Sequence, residues 1–176
     1  MTNPEIIIKK ASENEIEDFV SLGNQVWRIA YKHIFPEEVF IENEKRAPIK
    51  IQGIKERLND NKCLYMVAKH NGKIVGIMHG TLTSYYEHFG NKGFADLVIL
   101  YVHPNYQKMG IANRLKASFE SWVKENGVNK YVIGVLKENT IARKVYDHWG
   151  GKLSSYTQPL IKLEVPYDEV FYTFNL

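Results

Sequence analysis

The sequence is poor in cysteine, with Cys63 alone among 176 residues. One cysteine cannot form an intrachain disulfide, and it cannot supply a zinc site that needs several thiolates. Cys63 lies in the strand-like segment KCLYMVA, without a histidine beside it to activate the thiol. We therefore interpret it as a small buried apolar residue and not as a nucleophile.

Long apolar runs and blocks of like charge are also missing. No stretch approaches the roughly 18 apolar residues of a membrane span, and the start MTNPEIIIKK lacks the pattern of a signal peptide. The 23 basic and 20 acidic residues are spread along the chain, which gives nucleic-acid binding no support. We expect one cytoplasmic domain over residues 1–176 that binds neither membrane nor nucleic acid.

The first half of the chain contains clear starts of helices and strands. A short β-branched run at 5–10 precedes Ser12 and Glu15, whose spacing is typical of a helix start, and apolar residues then recur at helical spacing up to Ala30. A weaker pattern follows Pro36, and a second helix is predicted at 47–60. Asn71 and Gly72 between two strand-like runs predict an antiparallel hairpin.

The second half predicts a parallel strand pair. A loop at 84–93 leads to an apolar strand at 94–103, a helix from Gly110 to Gly127 and a strand at 130–136. Strand, helix and strand in this order favour a right-handed crossover. A last helix capped by Asn139 and two strands, near 152–157 and 169–175, close the chain.

The segment YQKMGI joins the central strand to the following helix and is suited to bind an anion. A helix start presents unpaired N–H groups and the positive end of the helix dipole. Gly110 would let a phosphate approach the backbone, Ala112 keeps the next turn small, and Gln107 and Lys108 add a donor and a positive charge. The spacing departs from the phosphate-loop and dinucleotide patterns. The alternative is a tight turn with a glycine near a helix start.

Two motifs resemble those of the GNAT superfamily of N-acetyltransferases. ADLVILYVHPNYQKMGIANRL is similar to its acetyl-CoA-binding motif, Gln/Arg-x-x-Gly-x-Gly/Ala after a strand, and Asn139, Ala142, Tyr146 and Gly150 match its second motif. The resemblance is close over residues 94–151, except that a second glycine stands at 151, where many members have phenylalanine. It implies an α+β (α/β) fold: one mixed, mostly antiparallel sheet of about seven strands, flanked by helices, with a splayed parallel pair.

The resemblance also implies acetyl-CoA as cosubstrate and no metal. The backbone at the end of the central strand would pair with pantetheine, the glycine-containing loop would bind the diphosphate, and Asn139 would cap its helix or reach the pantetheine amide. The predicted cofactor-binding residues are Leu100, Tyr101, Val102, Gln107, Lys108, Met109, Gly110, Ile111, Ala112 and Asn139.

The resemblance places Tyr146 where the family donates a proton to the coenzyme sulfur; the alternative is a core tyrosine on an amphipathic helix. Asp96 aligns with a carboxylate that serves as general base in some members, but it could instead lie at the exposed start of its strand. Trp27 and Tyr31 are candidate acceptor-binding residues or core aromatics. Tyr85, Tyr86 and Glu87 are candidates for the entrance of a cationic amine.

The predicted function is transfer of an acetyl group from acetyl-CoA to a primary amine of a small molecule or peptide. The amine would attack directly in a ternary complex, without a covalent enzyme intermediate, and the protein would be a monomer or homodimer. The alternative is a non-catalytic acyl-CoA-binding or regulatory module. The presence of Tyr146 favours the enzyme, whereas the doubtful position of the base favours the module.

Overall fold

The structure of the protein is a computed structural model that describes residues 5–176. Helices and strands alternate along most of this range. In chain order the elements are β1 (Ile7–Lys10), α1 (Ile16–Tyr31), α2 (Glu37–Lys45), α3 (Ala47–Arg57), β2 (Cys63–His70), β3 (Lys73–Thr81), α4 (Glu87–Gly90), β4 (Ala95–Val102), α5 (Ile111–Glu125), β5 (Lys130–Leu136), α6 (Thr140–His148), β6 (Lys152–Lys162) and β7 (Val165–Asn175).

The strands form one seven-stranded sheet in the order β1-β2-β3-β4-β5-β7-β6. Every neighbouring pair is antiparallel except β4 and β5, which are parallel. The parallel pairing extends over only two residue pairs, Ala95 with Tyr131 and Asp96 with Val132. The predicted mixed sheet with a splayed parallel pair is therefore confirmed.

The two faces of the sheet carry different helices. Leu115, Phe119 and Val123 of α5 are buried against one face, together with partly buried residues of α6. Ile16 and Phe19 of α1 are buried against the other face, where residues of α3 also pack. Because side chains alternate between the faces of a strand, the central strands are apolar on both sides.

Helix α2 was not predicted, and its short buried face explains why. Only Val39 and Phe40 of its nine residues are buried, so the helical periodicity is too brief to be recognised. The segment predicted as a loop at 84–93 contains the short helix α4. The predicted hairpin is confirmed, since Asn71 and Gly72 adopt φ of 50° and 79° between β2 and β3.

The last hairpin is longer than the sequence indicates. Strands β6 and β7 continue to a two-residue turn at Leu163 and Glu164, which have φ of 47° and 66°. Neither residue is typical of such a turn, and Pro159 and Pro166 disfavour a strand. The prolines are tolerated because β6 is at the edge of the sheet and β7 pairs with β5 only from Glu169 onward.

A buried carboxylate ties the start of α1 to the sheet. Glu15 accepts hydrogen bonds from Lys9 Nζ at 2.6 Å, Lys69 Nζ at 2.7 Å and the Ser12 N–H at 3.0 Å. Burial alone would raise the pKa of Glu15, but the bonds from Lys69, Lys9 and Ser12 outweigh it and hold the pKa well below its usual value of 4.5. The folded state therefore stabilises the ionised form of the Glu15 carboxylate.

Replacing this carboxylate should destabilise the fold in a pH-dependent way. We expect Glu15→Gln to lower the free energy of unfolding at pH 7 by about 1–3 kcal/mol, measured by urea denaturation. The folded-state pKa is depressed, so this contribution is present above pH 4.5 and is lost as the pH falls further. Glu13→Gln, at an exposed neighbouring position, is the matched control. Equal stability of the two variants at pH 7 would contradict the assigned role.

Candidate active site

A gap opens between β4 and β5 where their pairing stops. Ile99 pairs with His79 and Leu97 pairs with Gly80, so Val98 is the extra residue of a bulge in β4. A bulge bends its strand and increases the local twist. The remainder of β4 continues beside β3, and its other edge is left without a β5 partner.

Backbone groups of β4 face this gap in alternation. The His103 N–H donates to the Val75 carbonyl oxygen of β3 at 2.8 Å. Because hydrogen bonding alternates along an antiparallel strand, Tyr101 also bonds toward β3, and the N–H and C=O groups of Leu100 and Val102 face the gap. Gln107 Nε2 donates to the Val102 carbonyl oxygen at 3.2 Å, which fits this assignment.

The loop after β4 brings the start of α5 to the edge of the gap. Gly110 immediately precedes the helix with a φ of 76°, and Lys108 is also left-handed with a φ of 63°. An added Cβ at Gly110 would meet no atom within 4 Å, so the backbone angle and not crowding favours glycine here. Residues 107–110 are exposed, whereas Ile111 is buried in the core and anchors the helix. Ala112 is partly buried and packs against the same core, whereas Met109 is half-exposed and does not pack against it.

Helix α6 starts close to the same gap. The Asn139 Oδ1 accepts a hydrogen bond from the Ala142 N–H at 3.1 Å, so its predicted role as a cap is confirmed. Tyr146 packs edge-on against Tyr172, with ring centroids 5.5 Å apart. Burial, together with Tyr31 and Tyr172, raises the pKa of the Tyr146 hydroxyl, which is therefore protonated at neutral pH.

Tyrosines from both faces of the sheet converge at the gap. Tyr146 comes from α6 on one face, and Tyr31 comes from α1 on the other. Burial raises the pKa of Tyr101 strongly, and the nearby Tyr31 and Tyr146 raise it further. Burial also raises the pKa of Tyr31, and the nearby Asn139 opposes this rise. The structure thus brings the predicted residues Tyr31, Tyr101, Asn139 and Tyr146 together.

Asp96 lies at the closed end of the gap and is not exposed. Asp96 is only 1 % accessible to solvent, so the alternative that it lies at an exposed strand start is wrong. The Ser84 hydroxyl donates to Asp96 Oδ2 at 2.9 Å, and the Tyr85 N–H donates to the same oxygen at 3.3 Å. Burial outweighs these bonds and raises the pKa of Asp96 to about 6.

A second carboxylate near the gap, Glu169 of β7, is also buried and was not predicted from the sequence. It is 6 % accessible, accepts a hydrogen bond from the Tyr86 hydroxyl at 2.8 Å, and contributes to the raised pKa of Asp96. Burial raises the pKa of Glu169 itself. Its position beside Asp168 after a proline is typical of a turn, but the apolar residues that follow it could have indicated an acid within a buried strand. The two carboxylates therefore interact near the gap.

A cavity of about 410 Å³ lies on the α1 face of the sheet. Trp27 of α1 and Val98 and Tyr101 of β4 line it. Tyr31 packs on Trp27 with ring centroids 5.7 Å apart, so one candidate acceptor-binding aromatic lines the cavity and the other supports it. Lys50, Arg57 and Lys162 also line the cavity, and no sequence motif singles out these three cations.

Residues 5–176 contain neither a membrane-spanning helix nor a metal-binding cluster. No helix there is both long and apolar enough to cross a membrane. Within the same residues, no three His, Cys, Asp or Glu side chains converge as a metal site would require.

The fold and sequence are similar to those of known acetyltransferases. An acetyltransferase of Yersinia pestis (strain Pestoides F) is 34% identical over 110 residues, which cover 62% of this chain and 70% of that protein. The PaiA N-acetyltransferase of Thermoplasma acidophilum, solved in complex with coenzyme A, superposes with a TM-score of 0.79 at 18% identity, covering 98% of this chain and 99% of that one.

A second solved structure has the same fold. YncA of Salmonella typhimurium, solved with its cofactor acetyl-CoA, superposes with a TM-score of 0.69 at 14% identity. The match covers 97% of this chain and 93% of that one. Both superpositions extend over nearly the whole chain, so the sequence-based prediction of the fold is confirmed.

The family comparison agrees with both motifs found in the sequence. The model of the acetyltransferase (GNAT) family matches residues 25–150, which include β4, the loop before α5, and α6. The match confirms the predicted family and, with it, the prediction of an acetyl-CoA-dependent acetyltransferase. The chain belongs to the GNAT family of acetyltransferases.

Proposed function

We propose that the protein acetylates a primary amine of a small molecule or peptide by direct attack on acetyl-CoA in a ternary complex. The observation that carries this proposal is the gap between β4 and β5, which has free backbone groups on one side and protonated tyrosines beside it. An amine on the α1 face and a thioester in the gap can meet there without a covalent enzyme intermediate.

The cosubstrate fits the two ends of this gap. The backbone of Leu100 and Val102 supports pairing with the amides of pantetheine, and the exposed loop at 107–110 with the start of α5 supports binding of the diphosphate. PaiA and YncA, which have the same fold, were solved with coenzyme A and acetyl-CoA, and this supports acetyl-CoA as the cosubstrate. An N–H of β4 at the gap would stabilise the oxyanion that develops on the thioester carbonyl.

The reaction needs a proton donor and a proton acceptor. As the amine nitrogen bonds to the carbonyl carbon, the carbon–sulfur bond breaks and the thiolate takes a proton from Tyr146. The amine proton leaves toward Asp96, whose pKa of about 6 keeps it largely ionised at neutral pH. Because Asp96 is buried and hydrogen-bonded, we expect the transfer to pass through water. Asn139 holds the start of α6 and so positions Tyr146.

Removing the proposed acid should slow catalysis without weakening cosubstrate binding. We expect Tyr146→Phe to lower kcat by about 10²-fold in an assay of thiol release, because only the hydroxyl proton is lost. The affinity for CoA, measured by titration calorimetry, should stay within about two-fold. Tyr131→Phe, which removes a hydroxyl that donates to Glu120 at 2.8 Å, is the matched control and should retain its rate. An unchanged rate in Tyr146→Phe would exclude the hydroxyl as the acid.

The pH dependence should identify the base. Ionised Asp96 is the reactive form, so its protonation should make kcat/KM fall more steeply below pH about 6, whereas above pH 6 the remaining rise follows deprotonation of the acceptor amine. Asp96→Asn should lower kcat by about 10²-fold and remove this acidic limb. Glu169→Gln is the control: it removes the neighbouring carboxylate, so the limb should persist but move to lower pH, because Glu169 helps to raise the pKa of Asp96. Persistence of the limb in Asp96→Asn would assign the base elsewhere.

The same assay separates an enzyme from a binding module. Amino acids, polyamines, aminoglycosides and peptide N-termini serve as acceptors, and release of free thiol is followed. Thiol that depends on an acceptor supports catalysis. Thermal stabilisation by CoA without thiol release on any acceptor would indicate a module that binds the cosubstrate and does not turn it over.

A further inference from the structure

The cavity on the α1 face has a strongly uneven charge. Lys50 of α3, Arg57 at the end of α3 and Lys162 at the end of β6 all line it, while its lining includes no aspartate or glutamate. Its floor is formed by Val98 and Tyr101 of β4, next to the gap. A ligand in this cavity is therefore surrounded by apolar surface and positive charge while it contacts the strand where acetyl transfer is proposed.

Lys50 is hydrogen-bonded but not neutralised. Its Nζ donates to Asn43 Oδ1 at 2.6 Å and to Asn24 Oδ1 at 3.2 Å, and both acceptors are uncharged amides. Lys162 Nζ lies 5.8 Å from the centre of the Trp27 ring. Within the described part of the chain, neither lysine has a carboxylate within the 4.0 Å of an ion pair.

The charged groups around the two lysines do not supply a close counter-ion. Burial lowers the pKa of both lysines, and Arg46 lowers both pKa values further. Glu44 favours the charged form of Lys50, but its carboxylate is bound by Arg28 at 2.8 Å. Glu169 favours the charged form of Lys162 from a distance. The Glu169 carboxylate itself accepts hydrogen bonds from Tyr86 and Gln158.

Partly buried cations without a bound anion are unfavourable, because desolvation is not repaid by ion pairing. The phosphates of the coenzyme would not bind Lys50 and Lys162, since the proposed diphosphate site lies at the start of α5, on the opposite face of the sheet. An acceptor in the cavity on the α1 face, however, shares that cavity with both lysines and with Val98 and Tyr101 of β4. A negatively charged group on the acceptor would supply the anion that the two lysines lack.

We propose that the acceptor is an amine that also carries an anionic group, a carboxylate or a phosphonate, which Lys50 and Lys162 bind. This inference rests on the proposed function, and it narrows the acceptor to zwitterionic compounds such as amino acids and aminophosphonates. The positive cavity selects against polyamines and other acceptors that carry only positive charge. Lys50 and Lys162 are binding residues here and take no part in proton transfer.

Paired acceptors test the anionic group directly. Leucine, phenylalanine and methionine are each compared with their C-terminal amides, and 2-aminoethylphosphonate is compared with ethanolamine, by thiol release. We expect kcat/KM to be at least about 10-fold higher for the anionic member of the best pair. The amide has the more easily deprotonated amine, so this preference cannot arise from amine reactivity. Equal or better turnover of the uncharged partners would overturn the proposal.

Charge-removing variants locate the anion. Lys50→Met and Lys162→Met should raise KM for the best anionic acceptor by about 10-fold or more and leave KM for its uncharged partner within about two-fold. Lys55→Met, on the same helix as Lys50 but outside the cavity lining, is the matched control. If KM changes equally in all three variants, the change reflects the net charge of the protein, and the assignment of the anion site to Lys50 and Lys162 is wrong.

A binding measurement keeps the inference separate from the proposed reaction. N-acetylleucine and N-acetylleucinamide are titrated into the CoA-bound protein, and thermal stabilisation is recorded for the wild type, Lys50→Met, Lys162→Met and Lys55→Met. We expect saturable stabilisation by the carboxylate alone, lost in the first two variants and retained in the third. Failure of this pattern overturns the anion site even if amines are acetylated. Success without thiol release would instead refute the proposed reaction and keep the site.

Discussion

The functional architecture depends on the brief pairing of β4 and β5. Two residue pairs hold the strands together at Ala95 and Asp96, and the bulge at Val98 then directs β4 along β3 alone. Had the ladder continued, the backbone of Leu100 and Val102 would bond to β5, and α1 and α6 would be separated by a closed sheet. The interrupted pairing therefore leaves a free strand edge, where we propose that the coenzyme binds, and an opening near which tyrosines from opposite faces lie.

Much of the fold was accessible from the sequence because local signals agreed with it. Asn71-Gly72 predicted its hairpin, Asn139 predicted a helix cap, and the order of strand, helix and strand predicted the parallel pair. Each of these features is set by a few neighbouring residues. Features set by distant partners were missed. Helix α2 buries only Val39 and Phe40, and the strand ends around Pro159 and Pro166 form because an edge strand tolerates them.

The candidate site divides in the same way. The loop at 107–110 and Tyr146 stand out in the sequence because they belong to motifs. Glu169 and the cations of the cavity carry no motif, since they come together only when α3, β6 and β7 meet on the α1 face. Asp96 was found, but its burial and its bond from Ser84 depend on the loop after β3 and could not be read locally. The acceptor side is thus a product of tertiary structure.

The hairpin of β6 and β7 has a consequence for how selectivity can change. Lys162 is the last residue of β6 before the turn at Leu163 and Glu164, at the margin of the sheet, whereas the coenzyme elements lie at its centre. A substitution at this tip alters the charge presented to an incoming compound without disturbing the ladder between β3 and β4. Under the proposed function, a change in this hairpin would therefore alter which acceptors bind, while the edge of β4 keeps its backbone groups.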